Sequence, residues 1–503
     1  MGIKSLLAKA YATYVVKKNQ EWIQNPVKAQ EKTLRYLISQ AENTQFGQDH
    51  DFKSITNYQD LKNRIPIRNY EGFRPYIDRI INGSYNVLWK GRPIYFAKTS
   101  GTTSGTKYIP ITKESMPFHI MGAKHALLHY VYESGKSDFI DGKMIFLQGS
   151  PVLEEVGGIK TGRLSGIVAH FVPKYLQKNR MPSWEANIIQ DWETKVNTIV
   201  DETIKENMTL ISGIPSWVQT YFEKLIQKAG KPVGEIFPNF NLFVYGGLNF
   251  APYKQKFDKL IGRKIDSIEL YPASEGFFAY QDQPGRDDLL LLTHHGMFYE
   301  FVPADEIFSD NPTRLSLAEV QTGVNYALIL HTNAGLWGYN IGDTVQFTGT
   351  KPYRLKVTGR IKHFISAFGE HVIAKEVETA IKKAMEQTSI SITEFTVAPQ
   401  INPEGNQLPY HEWFIEFEEN PSPEKMVEFA RIIEKSMLEQ NVYYKDLIEG
   451  KVLQAAKITP VVKGGFEAYM KSIGKLGGQN KIPRLADNRK IANILYEMEL
   501  INF

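Results

Sequence analysis

The sequence predicts an α/β protein in two parts, and three patterns point there. Between Met144 and Tyr271, apolar strand-like runs alternate with amphipathic helical stretches, as in a doubly wound α/β layer. Between Leu289 and Phe347, short strands follow in close succession, which suits a barrel or a curled sheet packed on that layer. After Gly359 the order changes to strands set between helices, a smaller α+β domain. At 503 residues the chain exceeds a single core, and the break falls near Val357-Thr358-Gly359, giving domains 1–357 and 358–503.

In chain order, residues 1 to about 90 read as mostly helical, with a break at Arg64-Ile65-Pro66-Ile67 and a turn at Asn82-Gly83. In the first helix Ile3, Leu6, Leu7, Ala10, Tyr11, Tyr14 and Val15 recur at helical spacing, and Lys9 interrupts any signal-type apolar core. Gly2 invites N-myristoylation, but Leu6 stands where that motif needs Ser or Thr. Residues 94–96 and 108–111 read as strands around a polar loop, 113–132 as a helix, and 144–147 as a strand before a glycine-rich loop, 149–166. Residues 184–205 read as one amphipathic helix, and 210–213 starts a strand-turn-helix unit with its helix at 216–229. Further strands are expected at 242–245, 268–271, 298–302, 318–320, 326–332 and 344–347. The last domain reads as helices at 374–387, 423–439 and 465–473 and strands at 394–398, 412–418 and 452–459.

Apolar content of 42% with 23% charged residues is that of an ordinary globular protein. A net charge of +4, from 59 basic and 55 acidic residues, is too mild to argue for nucleic acid, and no basic cluster interleaved with aromatics appears. The absence of cysteine excludes disulfides, thiolate metal sites and a thiol nucleophile. Chemistry must therefore run on oxygen, nitrogen or a metal. No apolar run approaches the ~18 residues of a membrane span, so a cytoplasmic enzyme is expected.

Residues 99–107, TSGTTSGTK, carry hydroxyls at Thr99, Ser100, Thr102, Thr103, Ser104 and Thr106, glycines at 101 and 105, and end in Lys107. Glycines let the backbone turn several N–H groups toward one point, hydroxyls rotate to donate, and lysine adds charge. Such a loop suits a polyphosphate, although a merely solvated turn has the same composition. It is not a Walker loop, because Tyr108 follows the lysine and only three residues separate the glycines.

Four more clusters are polar at element ends. Tyr271-Pro272-Ala273-Ser274-Glu275-Gly276 follows a buried strand, where an aromatic and a lone carboxylate suit an adenine ring and Mg²⁺, or where Glu275 is simply solvated. In Gly338-Tyr339-Asn340-Ile341-Gly342-Asp343 the aspartate can accept both hydroxyls of a ribose, or the stretch is a hairpin turn. Gly359-Arg360-Ile361-Lys362-His363 sits at the domain joint, and residues 474–484 form a basic glycine-rich loop whose lysine either swings into a cleft or is solvated. His125 and His129 share a helix face with His119 nearby, but no glutamate lies between them to act as base, so structural or pocket-lining histidines are expected rather than zinc ligands.

The order of these motifs, TSGTTSG with its lysine, YPASEG, YNIGD, GRIKHFI and a late GQNKIPR, resembles the acyl-adenylate-forming, luciferase-like superfamily. With Gly246-Gly247-Leu248 ahead of YPASEG, it is more narrowly similar to the auxin-responsive acyl-acid amido synthetase family of plants and its bacterial relatives, over residues 95 to 485. The resemblance implies a large N-terminal domain of a β-barrel with flanking α/β layers and a smaller mobile α+β C-terminal domain that rotates between two half-reactions.

By motif match it also implies ATP and Mg²⁺. Ser100, Gly101, Thr102, Thr103, Ser104, Gly105 and Lys107 would hold phosphates, Gly247, Tyr271 and Ser274 would contact the nucleotide, and Glu275 would ligate the metal. Asp343 and Arg360 would take the ribose, Lys362 would be the hinge, and Lys481 the catalytic lysine beside Lys107 and Glu275. The implied reaction joins a small carboxylic acid, through its adenylate, to the amine of an amino acid. Coenzyme A as acceptor, or nucleotide binding without turnover, are the alternatives. Phe118, His119, Met121 and Trp217 are candidate acyl-pocket residues, as easily read as core, and a monomer is expected.

Overall fold

The computed structural model describes residues 3–100, 106–171, 177–189, 191–247, 250, 253–361, 364–365, 372–401, 403–404, 407–449, 453–476, 481–486 and 488–502. The chain divides into two units. The first comprises Met1–Asn249, Asp258–Ile341 and Val345–Val357, the second Phe250–Phe257, Gly342–Thr344 and Thr358–Phe503. Among the described residues no helix is long and apolar enough to cross a membrane.

In chain order the strands are β1 (Tyr95–Ser100), β2 (Thr106–Ile111), β3 (Lys143–Phe146), β4 (Glu154–Val156), β5 (Ile159–Gly162), β6 (Arg180–Met181), β7 (Met208–Ser212) and β8 (Leu242–Gly246). They continue with β9 (Asp266–Ala273), β10 (Gly276–Tyr280), β11 (Leu289–Leu291), β12 (Met297–Pro303), β13 (Asn325–Thr332), β14 (Tyr339–Thr350) and β15 (Tyr353–Arg360). A four-stranded sheet runs β2-β1-β5-β4, and an eleven-stranded sheet runs β12-β13-β14-β15-β11-β10-β9-β8-β7-β3-β6. From β9 to β6 neighbouring strands are parallel, and they read as apolar runs because helices cover such sheets. From β9 to β15 the described pairings are antiparallel.

The described pairings do not by themselves close the expected barrel. The β-rich segment instead extends the α/β sheet, because β11 pairs with β10 on one side and with β15 on the other. Other expectations are corrected locally. In place of the strand expected at 318–320, the chain forms a short 3₁₀ turn, Leu317–Glu319, fixed by a capping box between Ser316 and Glu319, with Val320 just past its end. The 149–166 loop holds the hairpin β4–β5, turned by Gly157 and Gly158 at φ +58° and +76°, and the start of a helix, Leu164–Ala169. The single helix expected at 184–205 is two, Trp184–Ile188 and Trp192–Thr203, because Asp191 caps the second by accepting the Thr194 N–H at 2.8 Å.

The helix Met116–Ser134 lies on β10 and under the first helix, Ile3–Gln24. Its Gly122 permits that approach: a Cβ there would stand 2.3 Å from Cγ of Phe277. Gly122→Ala is expected to destabilise the protein by ~1–3 kcal/mol, read as a lower urea midpoint, with Phe277→Leu restoring part of the loss.

In the second unit β16 (Phe364–Ile365) pairs with β17 (Val372–Ile373), and a sheet runs β18 (Ile392–Gln400), β19 (Tyr410–Phe417), β20 (Lys457–Val461). The strand expected at 452–459 is thus displaced toward Val461. Helices Ala374–Thr388 and Pro423–Gln440 pack through Val377, Ile381, Phe429 and Ile433 against Trp413 and Ile415. Phe466 and Leu495, from two further helices, cluster with Phe414. Covered in this way, β19 is buried at every residue, and its Glu412 is neutralised by Arg489 at 2.8 Å.

Candidate functional site

Parallel strands share a carboxyl edge, and in open α/β sheets ligands collect there. In the first unit four neighbours, β3, β7, β8 and β9, end on that edge at Gln148-Gly149, Gly213, Gly246-Gly247 and Tyr271–Glu275. The glycines are enforced by crowding. A Cβ on Gly246 would stand 2.5 Å from the Leu270 carbonyl oxygen, and one on Gly213 3.0 Å from Cβ of Leu147.

Register brings two predicted elements together here. Gly246 pairs with Leu270, so Gly247 is beside Tyr271 at the strand ends. Tyr271 is largely buried and packs edge-on against Phe278 at 4.9 Å. Ser274 and Glu275 form a two-residue hairpin turn, because Ala273 pairs with Gly276. Both are half-buried. Glu275 therefore sits at the tip of a two-residue turn between β9 and β10.

The hydroxyl-rich stretch joins two antiparallel strands, as its apolar flanks predict: Ser100 pairs with Thr106 and Thr99 with Lys107. Gly101, Thr102, Thr103, Ser104 and Gly105 lie outside the described residues. Lys107 is half-buried, its Nζ 5.7 Å from the ring centre of Tyr70, whose hydroxyl accepts the Tyr108 N–H at 2.9 Å. Lys107 alternates in phase with Ile109 and Ile111, which share a core with Tyr271 and Phe278.

Asp343, Arg360 and Lys481 belong to the second unit. β14 and β15 are neighbours, and the Ile361 N–H donates to the Gly342 carbonyl at 2.7 Å, so the backbones of Asp343 and Arg360 stand on adjacent strands. Lys362 lies outside the described residues. Lys481 is half-buried, and the residues that follow it are laid along β18 rather than loose. Val397 donates to Arg484 at 3.1 Å, Ala486 to Val397 at 2.7 Å, and Thr396 Oγ1 to Pro483 at 2.6 Å.

Of the candidate acyl-pocket residues, His119 and Trp217 are buried and Phe118 and Met121 half-buried. Phe118 packs on His295 at 5.4 Å. Asn19 bonds both His125 Nδ1 at 3.3 Å and His129 Nε2 at 3.1 Å, which makes that helical pair structural. Among the described residues no group of three or more His, Asp or Glu is placed to hold a metal. Burial brings His119, His125 and His129 down to about 4 and His294 to about 3. Folding thus favours neutral imidazole, so this stabilisation is complete above pH ~6.5 and lost as the pH falls toward 4, at up to ~1.4 kcal/mol per pH unit for each wholly buried ring. Urea midpoints are expected to drop between pH 7 and 5, and to drop less in His294→Gln.

The N-terminal, central and C-terminal domain models of the GH3 family match residues 15–188, 290–360 and 375–490. The chain belongs to the GH3 family. This GH3 chain is 22% identical over 562 residues to the indole-3-acetic acid-amido synthetase GH3.3 of Arabidopsis thaliana, covering 95% of the chain and 92% of that relative. It is 22% identical over 532 residues to the jasmonoyl--L-amino acid synthetase JAR4 of Nicotiana attenuata, covering 91% and 90%. Among solved structures, a GH3.15 acyl acid amido synthetase shares the fold with a TM-score of 0.79 over 96% of each chain at 16% identity. A 2-hydroxyisobutyryl-CoA ligase in the postadenylation state gives 0.54 over 95% of this chain and 89% of that one at 11% identity. The fold is that of the acyl-adenylate-forming ligases.

The motif order did not single out Lys195 and Arg163, which stand beside Gln148 and Gly149 respectively, just past the end of β3. Neither sits in a recognisable motif, and only the packing of their helices and loops shows where they go.

Proposed function

We propose that this GH3 protein is an ATP-dependent acyl-acid amido synthetase, activating a small carboxylic acid as its acyl-adenylate and passing the acyl group to the amine of an amino acid. The observation that carries this reading is the shared carboxyl edge, where Gly247, Tyr271, Ser274 and Glu275 stand on adjoining strand ends in a GH3 chain. Residues 100–107 would hold the triphosphate, with Lys107 over its charge. Glu275 fits Mg²⁺, which takes one or two protein carboxylates and keeps phosphate oxygens and waters. When bound, that ion would neutralise phosphate charge. Asp343 and Arg360 would orient the ribose, Lys362 would be the hinge of a C-terminal lid, residues 358–503, and Lys481 would offset charge on the α-phosphoryl group in the transition state.

The substrate carboxylate attacks the α-phosphorus and pyrophosphate leaves. The acceptor amine then attacks the activated carbonyl, and AMP leaves with the amide formed. No protein nucleophile is required, in keeping with a chain without cysteine. Phe118, His119, Met121 and Trp217 would line the acyl pocket, and a cytoplasmic place of action accords with ATP and amino acids as substrates. The likeness to a CoA ligase fold keeps thioester formation as the second reading. Hydroxylamine trapping across a panel of carboxylic acids tests the first step whatever the acceptor. Product masses with amino acids or coenzyme A then choose between the two. No pyrophosphate release with any acid would leave only a nucleotide-binding role.

A further inference from the structure

Lys195, on the helix Trp192–Thr203, is 4% exposed. Its ammonium donates to the backbone carbonyls of Asn187 at 2.8 Å and Gln148 at 3.2 Å, and to no carboxylate among the described residues. Arg163, between β5 and the helix Leu164–Ala169, reaches the same strand end, its Cδ 2.9 Å from where a Cβ on Gly149 would stand. Its Nη1 is buried with no acceptor among the described residues, and Gln148 Nε2 and Asn187 Oδ1 are likewise buried without partners. Burial, followed by the nearby charge of Arg163, brings Lys195 down to about 8, and burial lowers Arg163 as well.

The most deeply buried arginine ion pairs show the usual solution: Arg314 meets Glu300 and Arg354 meets Asp282. A buried ammonium and a half-buried guanidinium that repel one another, beside an unused amide donor, lack among the described residues the counter-charge that burial ordinarily demands. Desolvated, mutually perturbed groups of this kind concentrate at ligand sites.

We infer that Lys195 and Arg163, with Gln148 Nε2, form a subsite for a carboxylate carried by one of the substrates. The inference rests on the ligase reading for what arrives there. Its place in the fold supports it. β3, β7, β8 and β9 are successive neighbours, so the end of β3 lies three strand spacings, about 14 Å, from the Tyr271–Glu275 turn on the same edge. A substrate reacting at that turn can extend toward Gln148. The carboxylate belongs either to the acceptor amino acid or to the far end of a dicarboxylic acyl acid.

The test uses the full chain with Lys195→Met and Arg163→Met. Glycine, aspartate and succinate serve as probes, with glycinamide and succinamide as controls, and the readout is the thermal midpoint. At least one carboxylate is expected to raise the wild-type midpoint where its amide does not, and both variants are expected to lose that shift. In turnover assays an acceptor carboxylate predicts a KM for the amino acid raised ~10- to 100-fold with hydroxamate formation unchanged. A dicarboxylic acyl acid predicts instead that the KM for succinate in hydroxamate formation rises and that for the acceptor does not. Equal midpoint shifts in wild type and variants, or amides as effective as carboxylates, would overturn the subsite. Lys195 also ties Asn187 to Gln148, so if Lys195→Met does not fold, Arg163→Met carries the comparison, since its Nη1 has no acceptor among the described residues. Absence of hydroxamate from the wild type with every acid counts against the ligase reading, and the midpoint assay still decides the subsite.

Discussion

Replacing Lys481 with alanine is expected to slow hydroxamate formation by on the order of 10²- to 10³-fold while ATP affinity stays within a few-fold of the parent protein. A positive charge held where negative charge develops in the transition state contributes little to ground-state binding and much to the rate. Lys481 is suited to this because the segment it heads is anchored: Pro483, Arg484 and Ala486 are all bonded to β18. Its side chain is thus borne on fixed backbone, so that only side-chain freedom is lost when it engages. Calorimetric ATP titration beside single-turnover trapping separates the two quantities. An equal fall in both would remove Lys481 from the chemical step and make it a binding residue.

Arg314→Met is expected to lower stability by ~3–5 kcal/mol, since it strands a buried carboxylate. Glu300 is 0% exposed and accepts from Arg314 Nε at 2.7 Å and Nη2 at 2.6 Å, from Tyr58 at 3.1 Å and from His331 Nε2. The other ring nitrogen of His331 accepts the Gly338 N–H at 3.3 Å, so the ring is neutral, in keeping with the way burial lowers its pKa. Burial opposes ionisation of Glu300, but the bonds from His331 and Arg314 outweigh it and hold the carboxyl at about 2. The sign follows: this contribution is present above the ordinary value of 4.5 and is lost as the pH falls toward 2. In Arg314→Met the Glu300 carboxyl loses a cation that holds it ionised, its folded-state value rises, and the penalty of the substitution should shrink as the pH falls. Adding Glu300→Gln should recover much of the loss, and denaturant titrations of the single and double variants measure both effects.

The flanks of the hydroxyl-rich loop were legible because residues 94–96 and 108–111 are apolar runs on either side of a glycine-rich break, and β1 and β2 fall there. The Ile268 to Tyr271 run likewise announced a buried strand, which put Glu275 at a strand end. Its hairpin tip was not legible, since Ser274-Glu275 carries no turn glycine and the strand it serves begins only at Gly276. The continuous sheet was hidden for a different reason. β11 meets β15 only after three other strands have intervened in the chain, and no local pattern encodes that choice. β4 and β5 are short and partly exposed, so only the Gly157-Gly158 pair hinted at their turn. Lys195 lies inside the stretch read as one amphipathic helix, and its burial is a property of what packs on it.

The strip Phe250–Phe257 and the three residues Gly342–Thr344 are folded with the second unit although both are flanked in sequence by the first. A recombinant product started at Thr358 would therefore lack parts of its own wall. Tyr253, whose hydroxyl accepts from Arg484 at 2.7 Å, would be missing, as would Thr344, which accepts from Thr358 at 2.9 Å. Dissecting this enzyme into halves for spectroscopy or crystallisation calls for a splice that carries those strips along, because a plain truncation would uncover the side of Arg484 that faces Tyr253.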